Sequence, residues 1–266
     1  MKNIAVTVDV ETDWGGRLKP TKENMRGIFK GLKMILDLFE KFEIPATFFI
    51  SSETIKEAKS ELIKIKKYGH EIASHGHNHL KLDALSKEKI KNQIEKSIDL
   101  LQETFDKEIM GFRAPQFRLN DAHFEILSEL NIKYDSSVVP SLFPGRYKNV
   151  SAIKKPHNIG SVLEIPVSTF SIFNLPLGLM WFNLFSRNIN KLYTIKSNPV
   201  IFYFHLFDIL PKKFGGDQFS WVVNKWYNIN QKDALSTLTD FIDINKRNNV
   251  HFVTMADIYQ SYEGLT

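Results

Sequence analysis

The chain has 266 residues, of which 43% are hydrophobic and 24% charged, and its formal net charge is +5. This length suits one large domain or two small ones, and the composition is that of a folded globular protein. Cysteine is absent, which excludes disulfides, thiolate metal sites and cysteine nucleophiles, so any metal must be held by histidines and carboxylates. The positive charge could favour an anionic substrate or membrane surface, although lysines spread along the chain explain it more simply.

Short runs rich in β-branched and aromatic residues alternate with longer segments of helical period. The predicted strands are 4–10, 46–50, 71–75, 109–114, 132–137, 162–168, 200–205 and 251–255. The predicted helices are 24–42, 53–67, 87–104, 120–130 and 230–247, with Ser86 and Asn120 as N-caps. This alternation is typical of βα units, and it predicts one α/β domain over residues 1–266 with a closed or nearly closed barrel.

Two segments bear on where the protein works. Acidic residues at positions 9 and 11 interrupt the amino terminus before a signal peptide could develop, which predicts a cytoplasmic location. The most apolar segment, 168–185, contains Pro176, Gly178 and two asparagines, so it does not read as a membrane helix. We expect it to be an apolar loop packed in the core, with an exposed contact to substrate or lipid as the alternative.

Polar residues lie at or just past the ends of the predicted strands. They are Asp9, Glu11, His75, Arg113, Asp135, Ser168 and His205. In an α/β barrel the active site is built at the carboxyl ends of the strands, where residues far apart in sequence converge. The sequence therefore predicts a site at this face.

Three histidines fall within five positions in EIASHGHNHLKL, at His75, His77 and His79. Spacing of four would place His75 and His79 on one face of a helical turn, and spacing of two would place His75 and His77 on one face of a strand. Either pair could supply two metal ligands. A catalytic centre of the zinc type takes three protein ligands, so the third must be a carboxylate.

The best carboxylates are in TVDVETDW, where a predicted strand ends in Asp9, Glu11 and Asp13. Alternation would place all three on one face of an extended chain. Carboxylates crowded in this way need a cation to compensate their repulsion.

The motifs TVDVET, SHGHNH, GFRAPQF, KYDSS and IFYFH, in this order and spacing, resemble the polysaccharide deacetylases, the family 4 carbohydrate esterases that share the NodB homology domain. The resemblance runs from about residue 4 to 260. LEIPVSTF and FVTMADIYQSY are similar to members associated with exopolysaccharide biosynthesis. The resemblance implies a single-domain distorted (β/α) barrel of seven to eight strands.

The resemblance also implies roles for the first two motifs. Asp9 matches the general base, and His75 and His79 match two metal ligands, with His77 as a neighbour that shapes the rim. Val10 stands where the family usually has its second acid. Members with an Asp-Val-Asp arrangement take their ligand two residues on, which here is Glu11.

Two positions in these motifs leave a choice or depart from the family. Asp13 is the fallback for the third metal ligand, and Gly76 replaces a residue that usually carries a hydroxyl.

The later motifs imply three further roles. Arg113 matches the arginine that pairs with the base. His205 matches the general acid, and Asp135 resembles an acid that supports it.

The implied activity is metal-dependent removal of an acyl group, N-acetyl above all, from an amino sugar of a cell-surface glycan or its nucleotide-linked or lipid-linked precursor. The implied metal is zinc. A lipid-linked substrate would place the protein at the inner face of the membrane, in contact through 168–185. The alternatives are a deformylase or cyclic-amide hydrolase of the same fold, or a metal-binding but inactive sugar-binding domain. Nucleic-acid binding is not expected, since no basic stripe carries interleaved aromatics.

Overall fold

A computed structural model describes residues 2–143, 147–170, 174–185, 197–210 and 233–264 of the chain. Its strands are β1 (Asn3–Val10), β2 (Thr47–Ile50), β3 (Glu71–Ser74), β4 (Gly111–Phe112), β5 (Tyr134–Asp135), β6 (Leu142–Phe143), β7 (Tyr147–Lys148), β8 (His157–Ile159), β9 (Val162–Glu164), β10 (Val200–His205) and β11 (His251–Val253).

The α-helices in the described residues are α1 (Asp13–Gly16), α2 (Leu32–Lys41), α3 (Ile55–Lys67), α4 (Lys87–Phe105), α5 (His123–Glu129), α6 (Leu179–Phe185), α7 (Ala234–Arg247) and α8 (Met255–Glu263). A π-helical turn at Gly27–Gly31 precedes α2, and short 3-10 turns occupy Lys22–Asn24, Ser52–Thr54, Leu82–Ala84, Pro115–Phe117 and Leu206–Ile209.

Nine strands form one sheet in the order β10-β1-β2-β3-β4-β5-β9-β8, with β11 beside the first residues of β1. Their pairing is parallel except between β8 and β9. Beyond β9, the backbone N–H of Ser168 donates to the carbonyl of Ile201 in β10, and the N–H of Ile201 donates to Ser168 Oγ. This contact brings the two ends of the sheet together into a distorted barrel, which confirms the predicted fold class.

Alternation along β1 separates a core from a site. Val6, Val8 and Val10 face outward and pack with the apolar sides of the surrounding helices. Residues of the other face line the barrel interior, and this inner cluster contains Ala5, Phe49, Ala73, Tyr134, Leu163, Ile201, Met255 and Ile258. Met255 and Ile258 belong to α8, which therefore closes the amino-terminal end of the barrel.

Every predicted strand coincides with an observed one, although β4 and β5 are only two residues long. The predicted helices are also present, except that residues 230–232 lie outside the described ranges. Ser86 caps α4 by accepting from the N–H of Lys89 at 3.5 Å. The prediction for Asn120 was wrong, because α5 begins at His123 and Asn120 instead forms a turn by accepting from the N–H of Ala122.

The apolar segment 168–185 is not a loop throughout. Residues from Leu179 onward form α6, and residues 171–173 lie outside the described ranges. Leu177, Leu179 and Phe182 are buried in the main core, so burial supports the core-packing interpretation and leaves these side chains unable to contact a lipid. Among the described residues, no helix has both the length and the apolar character needed to cross a membrane.

Candidate active site

Three side chains at the carboxyl face of the barrel gather around one point. Glu11, His75 and His79 are all buried, and one nitrogen or oxygen from each lies within 4.8 Å of the others. The Nε2 atom of His75 is 3.3 Å from Glu11 Oε2, and His79 Nε2 approaches the same oxygen. One carboxylate and two imidazoles are a set of ligands that suits a divalent metal cation.

The two histidines meet through a loop and not through the helical turn that their spacing predicted. His75 follows β3, and the chain then reverses through two left-handed residues, Gly76 with φ of 76° and His79 with φ of 48°. The imidazole rings of His75 and His79 come within 5.1 Å of each other. Glycine at position 76 suits the turn, because a left-handed conformation is unstrained for glycine.

A backbone contact orients the His75 ring, and packing holds the His79 ring. His75 Nδ1 lies 2.8 Å from the carbonyl oxygen of Arg113, which can only accept, so Nδ1 carries the proton and Nε2 faces Glu11. His79 is held by packing, since a Cβ added to Gly16 would lie 2.1 Å from His79 Nδ1. Gly16, which itself has φ of 66°, therefore presses directly on this ring.

The electrostatics of Glu11 fit a cation. Neither carboxylate oxygen has a hydrogen-bond donor with proper geometry among the described residues, and His79 Nδ1 also lacks a partner. Burial alone would raise the pKa of Glu11, but the imidazoles of His79, His205 and His75 outweigh it and hold that pKa well below its ordinary range. Glu11 is thus an ionised, buried carboxylate without donors, which is how an anionic metal ligand is expected to look.

Asp13, the fallback for the third ligand, lies elsewhere. Its Oδ1 accepts from the N–H of Gly27 at 2.9 Å, and its Oδ2 accepts from the N–H and Nε of Arg26. The prediction that Asp9, Glu11 and Asp13 share a face was wrong for Asp13, because the chain leaves the extended conformation and enters α1.

Asp9 is the penultimate residue of β1, two positions before Glu11, and is paired with Arg113. Arg113 Nη1 donates to Asp9 Oδ1 at 2.8 Å, and both side chains are buried. The guanidinium also donates to Thr7 and Ser136 and lies 4.0 Å from the ring centre of Phe49. Arg113 therefore fixes the orientation of Asp9 with a charge-assisted hydrogen bond.

His205 ends β10 beside both acids and is 19% exposed. Its Nε2 lies 3.6 Å from Glu11 Oε1 and 3.9 Å from Asp9 Oδ2. Its Nδ1 lies 3.1 Å from Asp208 Oδ2, which also accepts from the His205 backbone N–H. Burial acts to lower the pKa of His205, but the Glu11 and Asp208 carboxylates prevail and raise it to about 9.

The fourth motif implied that Asp135 supports His205, but the structure places Asp135 against other groups. Asp135 Oδ1 lies 3.3 Å from His123 Nε2 and accepts from Ser137 Oγ, which in turn accepts from the N–H of Ala114. Burial acts to raise the pKa of Asp135, but His123 lowers it, whereas burial and Asp135 raise the pKa of Glu164. Asp135 thus belongs to a buried cluster behind the loop that carries Arg113.

Asp208 is the residue that sequence reasoning missed. It follows His205 by three positions, in the turn Leu206–Ile209, and its carboxylate bonds both to the ring and to the backbone of His205. An acid three residues after a histidine at a strand end is the signal that could have identified it.

His77 faces away from the cluster, with Nδ1 2.8 Å from Ser52 Oγ.

A distorted α/β barrel with acids and histidines at the carboxyl ends of its strands is the arrangement of a barrel enzyme. The sequence model of a family described as Polysaccharide deacetylase matches residues 28–134, which is 107 of the 266 residues. The match confirms, for this segment, the resemblance to the polysaccharide deacetylases stated above. The match includes His75, His79 and Arg113, whereas Asp9 and His205 lie outside it.

Curated relatives agree with this family. The peptidoglycan deacetylase of Helicobacter pylori is 28% identical over 152 residues, which are 54% of this chain and 52% of that protein. The bifunctional xylanase/deacetylase of Pseudobutyrivibrio xylanivorans is 25% identical over 92 residues, which are 34% of this chain and 15% of that protein. The chain therefore spans about half, or less, of the length of these relatives.

Solved structures share the fold at low sequence identity. A Mycobacterium smegmatis protein assigned to the polysaccharide deacetylases has a TM-score of 0.71 at 21% identity, over 99% of this chain and 90% of that one. Puue allantoinase has a TM-score of 0.68 at 16% identity, over 98% and 90% of the two chains. A Bacillus anthracis pseudoenzyme of the CE4 family has a TM-score of 0.60 at 14% identity, over 97% and 66%. The fold therefore accommodates different activities, and function must be argued from the site.

Proposed function

We propose that this protein is a metal-dependent hydrolase that removes an acyl group, N-acetyl above all, from an amino sugar of a cell-surface glycan or of its nucleotide-linked or lipid-linked precursor. One observation carries the proposal: the Glu11, His75 and His79 cluster lies beside His205 at the same end of the barrel as the buried Asp9–Arg113 pair. This arrangement provides a cation site, a base and an acid side by side.

Glu11, His75 and His79 would hold the cation, and zinc suits this donor set. The donor-free oxygens of Glu11 and the fixed tautomer of His75 fit that role. When bound, a divalent cation supplies Lewis acidity toward an acyl oxygen and lowers the pKa of water.

Asp9 is the proposed general base. Arg113 engages Oδ1, so Oδ2 is the oxygen that faces His205 and can accept a proton from the attacking water. The ion pair with a buried guanidinium keeps the Asp9 carboxylate oriented. The backbone N–H of Gln116, in the left-handed turn after Pro115, is the proposed donor to the developing oxyanion.

His205 is the proposed general acid, and Asp208 is its positioning residue. Asp208 holds Nδ1, so Nε2 is the nitrogen that presents a proton to the leaving group. Amide hydrolysis needs such an acid more than ester hydrolysis does, because an unprotonated amine is a poor leaving group.

The test is acetate release by the full chain with added zinc, from acetylated amino sugars that include an oligosaccharide and a nucleotide-linked sugar. Asp9→Asn should lower kcat by about 10²- to 10⁴-fold. The matched control is Asp37→Asn, which removes a carboxylate paired with Lys33 on the surface of α2.

Other outcomes identify the alternatives. Bound metal without hydrolysis of any acetylated sugar would contradict the proposal and favour the inactive sugar-binding domain. Opening of allantoin or another cyclic amide, without acetate release, would favour the cyclic-amide hydrolase. Formate release from formylated amino sugars alone would favour the deformylase.

A further inference from the structure

The segment that follows β1 contacts the proposed site region at two places. Gly16 packs against the His79 ring, and Thr12 Oγ1 donates to the carbonyl of Leu18 at 2.9 Å, which holds the loop close to β1. Farther along, a Cβ on Gly27 would lie 2.8 Å from the backbone nitrogen of Phe207. The loop therefore touches both the proposed metal cluster and the turn that carries Asp208.

This loop holds an unusual share of the positive charge. Residues 17–30 contain five cationic side chains, Arg17, Lys19, Lys22, Arg26 and Lys30, against one acidic side chain, Glu23. All five cations are exposed. The segment thus carries four net positive charges, whereas all 266 residues carry five. Lysines spread along the chain do not explain this concentration of charge in one segment.

Arg26 is the cation whose direction is fixed. Its Nε donates to Asp13 Oδ2 at 2.9 Å, and Asp13 already accepts from the backbone N–H groups of Arg26 and Gly27. Asp13 is therefore satisfied without the guanidinium, so the ion pair serves to orient Arg26. The Arg26 side chain stays 44% exposed, and no described group accepts from its two terminal nitrogens.

A series of ring contacts connects Arg26 to the general acid. The guanidinium carbon lies 5.8 Å from the ring centre of Trp14, which lies 5.7 Å from Phe207, which lies 5.4 Å from the His205 ring. Each step is one contact between neighbouring side chains. Arg26 is thus linked to His205 through only two intervening rings, and it lies in the same segment as Gly16, which packs against the His79 ring.

We infer that Arg26, which lies in the cationic segment 17–30, binds a phosphate or pyrophosphate ester carried by the acylated amino sugar. The inference rests on the proposed function and narrows its substrate class. The planar guanidinium fork matches two phosphate oxygens, and a segment with four net positive charges suits a group with more than one negative charge.

The test compares binding of glucosamine 1-phosphate with binding of glucosamine, both deacylated products that cannot turn over, by calorimetry on the zinc-loaded full chain. The wild type should bind the phosphate form about tenfold more tightly, and added salt should reduce that preference. Arg26→Gln should remove most of it, and Arg26→Lys should retain part of it.

Arg247→Gln is the matched control, because Arg247 is also paired with an aspartate, Asp243, but lies on α7 away from the mouth. It should keep the full preference. Equal affinity for the two products in the wild type would overturn the inference, as would an Arg26→Gln variant that weakens both products equally.

Measurements of acetate release identify the carrier of the phosphate. They also distinguish a failure of this inference from a failure of the proposed function. A nucleotide-linked N-acetyl sugar and a short polyprenyl pyrophosphate-linked one form two arms, and preference for either over a neutral oligosaccharide supports the inference and identifies the carrier. Hydrolysis that is fastest on the neutral oligosaccharide would overturn the inference alone. Absence of hydrolysis on every substrate would contradict the proposed function, while the calorimetry would still decide the phosphate site.

Discussion

Two glutamates at opposite ends of the barrel differ in every polar contact. Glu71, at the amino end of β3, accepts from Thr47 Oγ1 at 2.6 Å, from Tyr134 OH at 2.6 Å and from the N–H of Ala256 at 3.0 Å. Glu11, past the carboxyl end of β1, faces three histidines, and in the part of the chain that the structure describes neither of its oxygens has a hydrogen-bond donor with proper geometry.

The difference separates structure from function. Glu71 joins β2, β5 and the start of α8, and its hydrogen bonds are complete, so it stabilises the floor of the barrel. Glu11 keeps an unsatisfied buried charge, which costs free energy and persists in proteins where a ligand compensates it. The contrast predicts that changes at Glu11 affect metal binding and activity, whereas changes at Glu71 affect stability.

The largest effect should follow from Glu11→Gln. It removes the negative charge from the cluster, so acetate release should fall to background and the protein should lose stoichiometric zinc binding. In the wild type, zinc at about 100 times its dissociation constant should add about 2.7 kcal/mol to the free energy of unfolding, and in the variant it should add almost nothing. An equal zinc-induced rise in Tm for both proteins would show that Glu11 is not a ligand.

Gly16→Ala should have the next largest effect on the site. Its Cβ would collide with the His79 ring, which must then move, so zinc affinity should fall about 10- to 100-fold. Gly69→Ala is the control, because Gly69 has φ of 79° but open space around the added Cβ. Both variants carry left-handed backbone strain, and only Gly16→Ala should lose zinc; equal zinc affinity in the two would place His79 outside the metal site.

Glu71→Gln should destabilise the protein without disabling it. The side-chain amide group of the glutamine would face at least one of the three groups that donate to Glu71, and two donors cannot bond to each other. The free energy of unfolding should therefore fall by about 1 to 2 kcal/mol. The kcat of the folded fraction should match the wild type. A loss of kcat without a loss of stability in a urea titration would reverse the contrast drawn above.

The last effect, which is negligible at neutral pH and appears only in acid, concerns His70, which is buried between Phe39 and Phe48. Burial lowers the pKa of His70 to about 4, so the unfolded chain binds its proton more readily below about pH 6.5. Stability is therefore lost as the pH falls from 6.5 toward 4, by about 2 kcal/mol at pH 5 from this group. His70→Phe should remove that loss, whereas the same change at exposed His251 should not; parallel pH profiles for wild type and His70→Phe would refute the assignment.

Much of the fold was predictable because its strands are short β-branched and aromatic runs, and polar residues at their ends mark the carboxyl face. Alternation also predicted that Asp9 and Glu11 share a face, since Val10 between them packs in the outer core, whereas the choice of Glu11 as third ligand came from the family resemblance. Alternation failed at Asp13, where the chain turns into α1 and the carboxylate holds the start of the next helix.

Other parts of the site depend on tertiary contacts that no local pattern contains. The partner of His205 is Asp208 and not Asp135, because Asp135 turns toward His123, whose position is set by the packing of α5. The meeting of His75 with His79 depends on two left-handed residues, which the spacing of the histidines does not encode. The contact of Gly16 with His79 joins residues 63 positions apart and is visible only in three dimensions.

The most direct test of the central claim is the rate of acetate release from an N-acetylated amino sugar as zinc is removed and restored. A chelator should stop the reaction, and one equivalent of zinc per chain should restore it fully. A chelated, metal-free protein that keeps its full rate would contradict the assignment of Glu11, His75 and His79 as the metal site of a metal-dependent hydrolase.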